Sequence, residues 1–166
     1  MNVLASIFAL VAFCATATTA FAADVKIEPA DTAFIIIATA LVLMMTIPGL
    51  ALFYAGMVRR KNVLATMAQS AGALALISLL WMVAGYSLSF SGSGAWIGDF
   101  ERLFFNGIGM ESVSPLAKTI PELLFALYQM TFVVITCALI GGAVADRMKF
   151  SAFLVFSTIW LFVVYA

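Results

Sequence analysis

The chain has 166 residues, of which 65% are hydrophobic and only 10% charged, a balance far from that of a water-soluble globular domain. Eight basic and eight acidic side chains cancel, and the bases form no long stripe suited to a nucleic acid backbone. Histidine is absent, and Cys14 and Cys137 lie in separate apolar segments without CxxC or Cys/His spacing, which argues against a disulfide framework, a zinc site and a nucleophile–base–acid centre.

Residues 1–22 read as a signal peptide. The apolar block ends in Thr19-Ala20-Phe21-Ala22-Ala23, where Ala20 and Ala22 are small enough for a signal peptidase pocket, and cleavage is expected after Ala22. No Lys or Arg precedes the apolar core, so an uncleaved first helix is the alternative. A lipoprotein site at Cys14 is disfavoured by the bulk of Phe13.

From Thr32 to Val58 the chain carries no charge and is long enough, at 1.5 Å per residue, to span a hydrocarbon core of about 30 Å. Pro48 removes a backbone donor inside this span and disturbs the carbonyl of Met44, a break that neighbouring helices must cover. A second uncharged run covers 62–89 and ends in Ser91-Gly92-Ser93-Gly94. The polar segment from about Gly92 to Thr119 carries Trp96, Phe104 and Phe105, which predicts a partly helical surface piece at the membrane interface. A third span, 121–145, opens on Pro121-Glu122, a proline tolerated at a helix start beside an acid that suits the dipole. A fourth, 150–166, extends only about 25 Å and stops without a cap, so the sequence reads as a fragment, with a short C-terminal anchor as the alternative. The fold class is therefore all-α, a polytopic membrane helical bundle.

Arg59, Arg60 and Lys61 follow the first span, and Arg147 and Lys149 follow the third, which places both short loops in the cytoplasm and the mature N-terminus outside. Gly141, Gly142, Ala143 and Ala145 read as small residues that let helices approach closely. Gly107-Ile108-Gly109 lacks the spacing and lysine of a nucleotide loop. No catalytic residue, metal ligand or cofactor motif emerges. The best binding candidate is the third span, where Tyr128 and Phe132 share one helical face with Gln129 and Thr131 nearby. Electron-rich ring faces attract a small cation by about 0.5–2 kcal/mol, although aromatics at this spacing in a membrane helix also simply pack.

Two stretches carry a family resemblance. MTIPGLALFYAGMVRRKNVL, residues 45–64, resembles the first-helix signature of the ammonium transporter family, which includes methylammonium permeases and rhesus-type proteins. ELLFALYQMTFVVITCALIGGAVADRMKFSAFLVF is similar to a further block of that family, with its aromatic-Gln-x-x-Phe element and its acidic-Arg pair before Phe-Ser. Ala55 stands where the family often has glycine and Asp146 where it often has glutamate, which leaves room for a helix-end charge pair.

The resemblance implies a homotrimer of subunits with about eleven helices in two inverted halves, each with its own narrow pore, of which 23–166 holds the first four helices. By motif position, Tyr128 matches an aromatic of the outer substrate-binding site, and Phe132 matches a gate residue below it. Leu50, Phe53 and Tyr54 match pore-lining residues near the inner exit. The paired pore histidines, vestibule tryptophan and serine, and conduction aspartate of the family are expected beyond Ala166, and Trp160 is not that tryptophan. The implied function is ammonium or ammonia uptake across a bacterial inner membrane, by a full-length protein rather than by these 166 residues alone, with docking of a PII-type regulatory protein on the cytoplasmic face. An ammonium sensor with the same pore fold and a small four-span structural membrane protein without transport activity are the alternatives.

Overall fold

The computed structural model describes residues 26–92 and 97–166. The signal peptide predicted over 1–22 lies outside the described residues, as does Trp96. The architecture is a helical bundle, and three of its helical runs are long and apolar enough to cross a membrane: Pro29–Met57, Arg60–Phe90 and Glu122–Ala143. A shorter apolar run, Phe150–Tyr165, follows.

The first run is broken where the sequence demands it. Helix α1 (Pro29–Met44) passes through a widened turn, Met45–Leu50, into α2 (Ala51–Met57), and Ile47 before the proline leaves helical geometry at φ −135°, ψ 115°. The residue before a proline is pushed out of the α region, and the proline has no N–H to continue the ladder. Thr46, fully buried, returns its hydroxyl to the Val42 carbonyl at 3.3 Å and so covers one acceptor in the disturbed stretch. Gly49 keeps the break compact, because a Cβ there would meet the Met44 carbonyl oxygen at 3.2 Å.

Helix α3 (Val63–Leu80) continues through Trp81–Gly85 into α4 (Tyr86–Phe90), and it packs on both α5 (Glu122–Ala143) and α6 (Phe150–Trp160), while α1 packs on α5. Small side chains make the close approach possible: Ala73, Ala126, Ala138 and Gly141 are all buried at these contacts. In lipid there is little apolar gain from helix association, so fit of this kind carries the packing. The first run is peripheral. Only 11% of its apolar window is buried, against 39% for α5, and Phe34, Ile37 and Leu41 point away from the bundle.

The polar connection differs from the partly helical piece expected. Among its described residues it holds one short 3-10 turn, Leu103–Phe105, and a strand pair in which β1 (Val113–Ser114) runs antiparallel to β2 (Ala117–Pro121). Pro115 and the Thr119-Ile120 pair favour extended chain, and the Glu28 N–H donates to the Thr119 carbonyl at 2.8 Å, tying the start of the first run to this hairpin. Below, this side of the bundle is the loop end. The opposite side, with Arg59, Arg60, Lys61, Arg147 and Lys149, is the basic end.

Candidate functional site

One face of α5 is left open. Tyr128, Phe132, Ile135, Thr136, Leu139 and Ala143 recur at three- and four-residue spacing and are all half-buried or exposed, whereas Val133, Val134, Cys137, Ala138 and Gly141 on the opposite side are buried. The helix thus holds its small and branched residues mainly against α3 and α1 and presents an aromatic and aliphatic stripe away from them. Tyr128 and Phe132 meet edge to face, with ring centroids 5.0 Å apart and planes at 87°. This geometry suits the ring quadrupoles, and it leaves both faces of the ring that presents its edge uncovered by its partner. Phe132 is 38% exposed.

The polar groups expected beside these rings divide. Gln129 is half-buried, but Thr131 is fully buried on the other side of the helix and donates its hydroxyl to the Tyr128 carbonyl at 2.7 Å. It is not part of the stripe. Thr136 is, and its hydroxyl is taken up by the Phe132 carbonyl at 2.7 Å, so the stripe below the rings is apolar in effect.

Of the three residues expected near the inner exit, the structure brings one to the stripe. The Tyr54 ring rests on Gly142, where any Cβ would overlap it, and its hydroxyl approaches the Leu139 carbonyl at 3.4 Å. Phe53 lies 5.5 Å from the Tyr54 ring but turns outward, 61% exposed, and Leu50 is half-buried one turn earlier. The helix-end charge pair allowed for Asp146 is not formed. Its carboxylate instead accepts from the Asn62 side-chain amide, and neither ion pair among the described residues involves it.

Sequence reading missed the network that holds the top of α5. Glu122, only 5% exposed, accepts from the Tyr86 hydroxyl at 3.1 Å and faces the Arg102 guanidinium at 3.8 Å, while Arg102 also donates to the Gly107 carbonyl at 2.9 Å. Ser87 donates to the Asp99 carbonyl and accepts the Arg102 N–H at 3.1 Å, joining α4 to the polar connection. Trp81, fully buried, donates its indole N–H to the Ala126 carbonyl at 3.0 Å, two residues before Tyr128, and stacks edge-on with Tyr86, Phe90 and Tyr165 at 5.9–6.1 Å. The one sequence signal was an acid at the mouth of an apolar run.

These features define a membrane helical bundle with an aromatic-headed apolar stripe along its third long helix. The chain belongs to the ammonium transporter family: the model of the Ammonium Transporter Family matches residues 33–166. A putative ammonium transporter of Methanothermobacter thermautotrophicus is 47% identical over 135 residues, covering 81% of this chain and 33% of that protein. The ammonium transporter of Bacillus subtilis is 46% identical over 135 residues with the same coverage. The crystal structure of Candida albicans Mep2 superposes with a TM-score of 0.75 at 33% identity, covering 88% of this chain and 32% of that one. The chain therefore spans about a third of the length of the relatives it matches.

Proposed function

We propose that the full-length protein conducts ammonium-derived nitrogen across a bacterial inner membrane, and that the α5 stripe forms part of its route. The observation that carries this reading is the Tyr128–Phe132 ring pair, held edge to face and only half covered at the head of an apolar helix face. Tyr128 offers a ring face to an arriving ammonium ion, an attraction worth about 0.5–2 kcal/mol that grows as water is removed. Phe132, one turn deeper, closes the way to hydrated ions. Beyond it Thr136 has no free proton to offer, so the path favours a neutral species, since a bare charge in an apolar passage is costly. Tyr54 lines the exit at the basic end, and Leu50 and Phe53 are assigned to it by motif position alone. The proton relay is assigned to paired histidines elsewhere in the full-length protein, as the family resemblance implies. The basic end faces the cytoplasm, held there by Arg59, Arg60, Lys61, Arg147 and Lys149. A homotrimer and a PII-type partner on that face complete the proposal.

Uptake of labelled methylammonium by cells expressing the full-length protein tests the site. Tyr128→Leu keeps the bulk and removes the ring, and it is expected to raise the half-saturating concentration about two- to thirtyfold, the range that 0.5–2 kcal/mol corresponds to. Unaltered uptake with normal expression and assembly would assign this ring to packing alone.

A further inference from the structure

At the basic end, Asn62, Ala65, Thr66, Gln69, Asp146 and Met148 line a half-open cavity of about 140 Å³. Its lining is mostly polar, and each of its two side-chain amides already spends one N–H inside the protein. Gln69, 5% exposed, donates its amide N–H to the Met148 carbonyl at 3.2 Å, which leaves its Oε1 buried and without a partner. Thr66, 3% exposed, gives its hydroxyl proton to the Asn62 carbonyl at 3.1 Å and keeps its lone pairs. The Asn62 side-chain amide donates to Asp146, so the Asn62 Oδ1 and the second Asp146 oxygen also remain as acceptors. Arg147 and Lys149, exposed in the same turn, form no ion pair with Asp146.

Four acceptor groups, one of them a carboxylate, outnumber the two remaining amide N–H donors and disfavour an anion. A divalent ion of the calcium type needs six or more oxygens. The complement is a small monovalent cation, and a tetrahedral ion with four N–H donors can use the hydroxyl, the two amide oxygens and the carboxylate together. We propose that this cavity is an ammonium subsite at the basic end. Asp146 lies in the turn that follows α5, so the subsite is at the same basic end as the exit described above. Its role in release rests on the transport reading; the binding of the ion does not.

Crystals of the full-length protein soaked with a thallous salt, a heavy monovalent stand-in visible by anomalous scattering, test the assignment. A peak is expected within coordination reach of Gln69 Oε1 and Asp146, displaced by ammonium chloride and not by sodium chloride at equal ionic strength. Asp146→Asn removes the charge and turns one acceptor oxygen into an N–H donor at constant size, and asparagine tolerates the left-handed backbone of this position at φ +64°. This variant should lower occupancy by about tenfold or more, since the charge-assisted contact is among the strong ones. Gln69→Leu should do the same, with trimer assembly monitored separately. Density for water only, a peak indifferent to Asp146→Asn, or equal displacement by sodium would each overturn the subsite. Methylammonium uptake by the same wild-type protein separates the two readings. Uptake with an empty cavity refutes the subsite alone, and a filled cavity without uptake refutes the transport reading alone.

Discussion

The two ends of this bundle solve the burial of polar groups in opposite ways. At the loop end, Glu122 is desolvated yet met by Tyr86 and Arg102, and the indole of Trp81 is capped by the Ala126 carbonyl, so each of these groups finds a partner in a ring of packed aromatics. At the basic end, Gln69 Oε1 is equally buried and has none, and the Tyr54 hydroxyl makes only a long 3.4 Å contact. A fully satisfied network fixes geometry, whereas acceptors left over invite a ligand. The loop end is a mount for Tyr128 and Phe132, and the basic end leaves its polar groups with fewer fixed partners.

The largest test of this contrast is Trp81→Ala. It removes a fully buried ring, its three edge-on aromatic contacts and the donor to Ala126, and it should cost about 3–5 kcal/mol, measured as a lowered thermal unfolding midpoint of the full-length protein. A variant as stable as the parent would show that the loop end is not a rigid mount. Tyr86→Phe is a smaller probe of the same region. It keeps the ring contacts with Trp81 and Phe105, at 6.1 and 5.6 Å, and deletes only the donor to Glu122. A hydrogen bond to a charged group is worth about 1.5–3 kcal/mol, and a loss in that range is expected in the same thermal assay. A neutral outcome would mean that Arg102 alone satisfies the carboxylate.

The sequence was most readable where local chemistry is decisive. Charge-free runs gave the spans, Pro48 gave the break, and the spacing of Tyr128 and Phe132 gave their common face, because each depends on residues within a turn or two. It was silent where the outcome depends on which distant side chain arrives. Glu122 read as a dipole-matched acid, yet its partners Tyr86 and Arg102 come from another helix and from a loop. Thr131 was placed beside the rings by proximity in sequence, but one residue of helix is a rotation of about 100°, enough to bury it. The paired strand in the polar connection was missed because its aromatics were weighed as interfacial anchors while Pro115 and the branched residues after it set the chain direction.

Gly142→Ala is the smallest and most discriminating probe, because it acts at the basic end of the stripe, beneath the Tyr54 ring. A methyl group at this position would overlap the Tyr54 ring, so one of the two must move. At the loop end such a conflict would be expensive, since the rings of Trp81, Tyr86, Phe90 and Phe105 are held by one another. Tyr54 is half-buried, touches Phe53 at a tilted 5.5 Å and has only its long hydroxyl contact to lose, so it can swing outward. Overpacking in a tight core costs about 1–3 kcal/mol, but here the displaced ring relieves most of it, and alanine regains up to about 1 kcal/mol of helix propensity over glycine. The net stability change should therefore be about 1 kcal/mol or less, while methylammonium uptake changes because the ring now stands elsewhere. The double variant Gly142→Ala with Tyr54→Leu should behave as Tyr54→Leu alone, a coupling that a double-mutant cycle reads directly. Additive effects, or a stability loss as large as that of Trp81→Ala, would place the basic end in the same rigid class as the loop end.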